Sequence, residues 1–316
     1  MRLKLLGFLI GCLSIAVLYF SFWRTPSIIY DKISDIRHPT VKEYELIQRH
    51  LSKGERPGLE RLKEYQQGCR KIRIIDKSKE QIPGSGIVSV NCSDEERENC
   101  ILIYASFNRN YPQALKRLVD LISQSDFKGH ILYYMGGWPN LEEGDLVYAH
   151  VPYAFKLCAF REAQRLGFKR ALWLDSSIVP LCSLNDFFSR IQSLGYLAAG
   201  NTHMVGPYFN DTAARALGTT LEESFAIPSC SASLLGFDFS NQWARKALDR
   251  WFSALHNPDA FYSARPEQNV ISVILYQLGM SEWIDYQKIA ENRPSIRPDS
   301  LVLLDRKFAH SGIENE

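Results

Sequence analysis

The sequence predicts an α/β fold: a mixed sheet flanked by helices, behind an N-terminal transmembrane helix. Three observations lead there. Short apolar runs at 101–107, 131–135 and 171–174 alternate with stretches of helical periodicity, the alternation that builds parallel sheets. Residues 5–23 carry no charge between Lys4 and Arg24, a length that crosses a bilayer as a helix. The composition, 46% apolar and 23% charged, is that of a folded chain. A net charge of +2 lacks the basic excess of a nucleic-acid binder, so no nucleic-acid partner is expected.

Residues 1–24 read as a single uncleaved anchor, with the membrane contact through 5–23. Tyr19 and Trp23 suit an interfacial end, and Ser21-Phe22-Trp23 lacks the small residues of a signal-peptide cleavage site. Arg2 and Lys4 favour an inside N-terminus, whereas Arg24, Lys32, Arg37 and Lys42 weight the other flank. The expected location is a single-pass membrane protein, facing the Golgi or ER lumen in a eukaryote and held in the inner membrane in a bacterium. Asn91-Cys92-Ser93 and Asn210-Asp211-Thr212 have the form of glycosylation acceptors, which matter only in a secretory lumen. Outside the anchor no two cysteines are spaced Cys-x-x-Cys, which argues against structural zinc. Cys92 and Cys100 flank a polar loop and either pair in an oxidising compartment or remain buried thiols.

Residues 25–98 are polar and mixed, and read as a stem with a short helical hairpin turning at 53–58. The main domain, 99–316, opens with the strand at 101–107. Asn110 then stands near a helix cap and Pro112 in the first turn, followed by Leu115, Leu118, Val119 and Ile122 on one face. Gly129 ends that unit and 131–135 is the second strand, making a right-handed βαβ unit. The loop 136–140 lies at that strand's carboxyl end, and 147–151 reads as a further short strand. Pro152 starts the next helix, with a stripe of Phe155, Cys158, Ala159, Ala163 and Leu166 that Gly167 terminates. Lys156 and Arg161 lie off that stripe and are expected in solvent.

The strand at 171–174 is cut off by Asp175-Ser176-Ser177, and hydrophobicity resumes at Ile178. Ligands of open α/β sheets bind at the carboxyl ends of strands, which aims Asp175 at a site; the plain alternative is an Asp that caps a turn. A helix follows over 184–191, begun by Ser183 or Asn185, then a strand over 196–199. Residues 201–229, with His203, Tyr208 and Asn210, read as a long loop-rich insert of the kind that forms lids. Trp243, Ala247, Trp251 and Leu255 make a core-facing helix stripe, and Glu267 and Gln268 open a helix with Val270, Ile274 and Leu278 inside. His130, His150 and His256 have no spacing partner and read as structural.

Leu166-Gly-Phe-Lys-Arg170 followed by Ala171-Leu-Trp-Leu-Asp-Ser-Ser-Ile-Val-Pro-Leu181 resembles the core of GT-A-fold nucleotide-sugar glycosyltransferases. There a helix precedes a strand of the type Tyr/Trp-Leu-Asp-x-Asp-Ile. Residues 233–239 are similar to the acceptor-site strand of the glycogenin-like branch. Pro266-Glu267-Gln268 resembles its Asp-Gln helix start, and His310-Ser311-Gly312 its closing His-x-Gly, whose histidine binds metal. The likeness runs over about 101–312. It implies a membrane-anchored hexosyltransferase that moves sugar from a nucleotide-diphosphate donor to a glycan, lipid or protein hydroxyl. Implied donor contacts are Ser106, Phe107, Asn108, Lys156, Asp175, Ser176, Ser177 and Gln268. A divalent cation, manganese or magnesium, would take Asp175, Ser177 and His310 as ligands.

Ser177 stands where the family has a second Asp, and a neutral hydroxyl is a weaker ligand. Three consequences are open: loose metal binding, a basic side chain such as Lys156 or Arg161 in its place, or a silent site. Glu267 reads first as a first-turn acid suited to the helix dipole; as a catalytic base it competes with Asp238, and the assignment stays open. A non-catalytic relative that binds a glycan or a partner is the rival class. A hydrolase is disfavoured, since neither a Gly-x-Ser-x-Gly elbow nor a Gly-rich phosphate loop is present.

Overall fold

The computed structural model describes residues 85–105, 111–135, 148 and 151–305. The anchor at 5–23, the hairpin at 42–67, the loop 136–140, and Ser106, Phe107, Asn108, His150 and His310 lie outside the described residues. Among the described residues no helix is long and apolar enough to cross a membrane.

The fold is mixed α/β. Its six-stranded sheet comprises β1 (Ser85–Val90), β2 (Asn99–Ala105), β3 (Gly129–Met135), β4 (Arg170–Leu174), β6 (Tyr196–Met204) and β7 (Pro228–Asp238), ordered β1-β3-β2-β4-β7-β6. Strands β3, β2 and β4 run parallel; β1 and β7 are antiparallel to their neighbours, and β6 is antiparallel to β7. A small second sheet joins β5 (Ile178–Pro180), β9 (Val302–Leu304) and β8 (Ile289–Ala290).

The helices are α1 (Tyr111–Ser123), α2 (Ala154–Arg165), α3 (Leu184–Leu194), α4 (Asp211–Ala216), α5 (Leu221–Ser224), α6 (Gln242–Leu255) and α7 (Pro266–Gln277). On one face of the sheet Leu115, Leu118 and Ile122 of α1 pack with Phe187, Phe188 and Ile191 of α3. On the other, Leu157 and Phe160 of α2 pack with Trp251 of α6 and Val270 and Ile274 of α7. Covered on both faces, β3 is buried along its whole length, which is why its sequence is a continuous apolar run rather than an alternation. The chain leaves β2 to one side for β3, then crosses back to the other side for β4. This reversal makes a topological switch point at the carboxyl ends of β2 and β4, the place where ligands of such sheets bind.

Several expectations are corrected. The sheet begins at Ser85, inside the range read as stem, because β1 is a partly exposed edge strand without a continuous apolar run. Residues 201–229 are not loop-rich. Strand β6 runs on to Met204 past irregular pairing, and α4 and α5 follow, capped by Asn210 and by a Thr220–Glu223 capping box. Of 147–151, read as a short strand, only Tyr148 and Val151 are described, and the Val151 N–H donates to the Tyr148 carbonyl at 2.9 Å. Of the two readings left open for Cys92 and Cys100, both are free thiols: Cys92, half-buried, donates to the Gly129 carbonyl at 3.1 Å, and Cys100 is buried. Helix α2 starts at Ala154, after Tyr153 at φ 64°, a left-handed conformation unusual for a bulky residue and frequent at functional sites.

Candidate functional site

Asp175 directly follows β4 and therefore stands at this switch point. Its backbone N–H donates to the Ser233 carbonyl at 3.0 Å, and its Oδ1 accepts from the Trp173 indole at 2.7 Å. The Lys156 ammonium of α2 lies 3.2 Å from the same oxygen and 3.2 Å from Glu267 Oε1 at the start of α7. Its remaining donor goes to the Ala232 carbonyl at 2.8 Å. Lys156 is thus sealed, its side chain 3% exposed, between two carboxylates of unequal access: Glu267 at 9% and Asp175 at 36%. The rings of Tyr153 and Trp173 complete its surroundings at 5.4 and 5.5 Å.

Burial works against the Lys156 charge, but Asp175 and Glu267 more than offset it, so the ammonium holds its proton more tightly than usual. Burial raises the Glu267 pKa, opposed by Lys156 and reinforced by the nearby Asp175 charge. Two carboxylates share one ammonium, and with all three ionised the group carries a net charge of −1.

Lys156 is therefore not solvated. The first half of α2 is buried on more than one side, with Leu157 and Phe160 inside as well as the expected stripe, and the ammonium survives there because every donor is matched. Arg161 does not reach the site. It pairs with Asp249 on α6 at 2.7 Å and lies over the Phe252 ring. Glu267 is the first-turn acid of α7, as the helix-dipole reading expects, and its Oε1 also takes the Lys156 ammonium at 3.2 Å. Asp238 is removed from the site altogether. Because β7 is antiparallel to β4, Asp238 lies opposite Arg170 at the far end of the sheet, where it accepts from Ser240.

Ser176 and Ser177 are buried, and their carbonyls accept from the Arg117 guanidinium at 3.3 and 3.2 Å. Arg117 is anchored in turn by Asp305 at 2.5 Å, whose own backbone N–H donates to the Ser177 carbonyl. This clamp fixes the turn behind Asp175. Nothing local in the sequence marks Arg117, because all of these partners are remote.

A second polar group lies at the same end of the sheet, near the carboxyl end of β6. Arg265 donates to His203 Nε2 at 2.6 Å and stacks over the Tyr208 ring at 4.2 Å. The Gln268 amide donates to Ser229 Oγ at 2.8 Å and reaches His203 at 3.3 Å. Burial and the Arg265 charge push the His203 pKa down to about 4, keeping it neutral at physiological pH. Between pH 6.5 and about 4 the unfolded chain therefore takes up this proton first, and stability falls as pH falls. His203→Gln, which cannot protonate, should show a shallower drop in thermal midpoint across that window; an unchanged slope would show that His203 does not contribute. Asn210 instead serves as the α4 cap, and His130 is buried against Phe168.

Among the described residues no three His, Cys, Asp or Glu side chains converge. The charge distribution bears on a metal more directly. A divalent ion on Asp175 would sit beside the Lys156 ammonium, and the second position offers only the buried Ser177. The described residues therefore fit a divalent cation poorly. No family model matches the chain, and no characterised sequence matches it closely enough to be called a relative.

Proposed function

We propose that the chain is a membrane-anchored glycosyltransferase of GT-A type, taking a nucleotide-diphosphate sugar at the switch point and passing the sugar to a hydroxyl acceptor. The observation that carries this reading is the Lys156–Asp175–Glu267 group. Three elements bring a buried cation and two unequal carboxylates together at the switch point of the sheet. In glycosyl transfer the bond from the anomeric carbon to the leaving phosphate oxygen breaks while the acceptor oxygen bonds to that carbon. Positive charge develops on the sugar, and the half-exposed Asp175 carboxylate stabilises it. The acceptor hydroxyl must shed a proton, and the raised pKa of Glu267 suits it as the recipient. Lys156 holds both carboxylates in place, and the Arg117 clamp keeps the turn rigid.

One observation favours the rival, a non-catalytic binding protein: Asp175 is already partnered by Lys156, and Ser177 supplies no second charge. Calorimetry and nucleotide-release assays on the detergent-solubilised full chain, with a panel of nucleotide sugars, separate the two. The expected result is binding and turnover of at least one donor. Binding without turnover under any acceptor tried supports the binding protein, and no binding at all removes the donor reading.

A further inference from the structure

Of the cations at this end of the sheet, Lys156 and Arg265 differ in one respect. Lys156 has spent all its donors, two of them on carboxylates. Arg265 has no carboxylate partner among the described residues; its contacts are the neutral His203 and the Tyr208 face. The half-buried Arg265 guanidinium has no counter-anion among the described residues, and Gln268, bonded to Ser229 and His203, braces the group beside it. Tyr208 fixes the guanidinium plane from one side, and only Nη1 is taken, by His203. Gln268 links the two groups, since it follows Glu267 at the start of α7 and bonds Ser229 on β7, the strand that carries Ala232 and Ser233.

We propose that Arg265, braced by His203, Gln268 and Ser229, is a diphosphate-binding subsite that supplies the donor's countercharge without a divalent metal. This rests on the donor reading above. It explains why Ser177 can replace a carboxylate: the charge that a metal would bring is carried by a side chain. A planar guanidinium meets phosphate oxygens through two parallel bonds, which holds the leaving group as well as neutralising it.

The test uses inorganic pyrophosphate as probe, with UDP and GDP as competitors, on the detergent-solubilised full chain in the presence of a chelator. Pyrophosphate should bind without metal, and Arg265→Met should weaken it about tenfold to a hundredfold. Arg265→Lys keeps the charge but not the fork, and should fall between the two while retaining the wild-type unfolding midpoint. Binding that appears only with manganese overturns the proposal, as does pyrophosphate affinity equal in wild type and Arg265→Met, or no binding of any anion. Nucleotide-sugar binding indifferent to Arg265 leaves the donor reading standing and removes this subsite. Pyrophosphate binding that depends on Arg265 but that neither nucleotide displaces keeps the oxyanion subsite and removes the nucleotide donor.

Discussion

Replacing Lys156 with methionine is expected to destabilise the fold by about 3–5 kcal/mol, the usual cost of removing one partner from a buried ion pair. Methionine matches the aliphatic stem but leaves Glu267 buried and the Ala232 carbonyl without its donor. Against a total stability of about 5–15 kcal/mol, that deficit brings the domain to the edge of unfolding at neutral pH. The deficit depends on pH. The Glu267 pKa is already raised by burial, and without Lys156 it rises further. A group with a raised folded pKa stabilises the fold below its unfolded value, and that stabilisation is lost as pH rises through the folded one. The variant's loss should therefore be smallest in acid, where Glu267 is protonated, and largest above its folded pKa. Adding Glu267→Gln should restore part of the stability, since a neutral pair can replace a buried ionic one. Urea unfolding at pH 4.5 and 7.5 reads both effects. Equal stability of the single variant and wild type at pH 7.5 would remove the buried pair from the account.

The alternation of strands and helices was legible in the sequence where both faces of a strand are covered. β2, β3 and β4 are near-continuous apolar runs, and no alternative period competes with them. β1 was missed for the converse reason. As an edge strand it alternates between exposed and half-buried positions in a polar stretch. Direction is harder still. The strand carrying Asp238 was expected, but periodicity is identical in either orientation, and antiparallel pairing with β4 puts that carboxylate at the wrong end. The lysine shows a third limit. Lys156 looks like a surface residue beside an apolar stripe, and its partner Glu267 lies 111 positions away, beyond any local pattern. By contrast, the Thr220-x-x-Glu223 spacing that caps α5 was present in the sequence and legible by rule.

Ser177 gains a different meaning from these contacts. On sequence alone it is a missing carboxylate. In the fold its backbone carbonyl is held by Arg117 and its side chain is buried, while Lys156 supplies positive charge directly to Asp175. A serine is sufficient for a turn of this kind, since the clamp acts through the main chain.

Asp175→Asn separates the chemistry at this position from its structural part. Asparagine keeps the shape, and its amide oxygen can still accept from the Trp173 indole and from Lys156. Asp175 is 36% exposed and screened by water, so loss of its charge should change stability by no more than about 1 kcal/mol. Turnover should fall about 10²–10³-fold, the effect of removing one group aimed at charge that develops in the transition state. A further consequence isolates Glu267. The Asp175 charge is one cause of its raised pKa, so neutralising Asp175 should lower it. If Glu267 accepts the acceptor's proton, the acid limb of the residual kcat–pH profile must move to lower pH in the variant. A fall in turnover without that movement would keep Asp175 at the reacting centre and take the base role away from Glu267. Full turnover in Asp175→Asn would mean that the charged group at the carboxyl end of β4 shapes the switch point without taking part in the reaction.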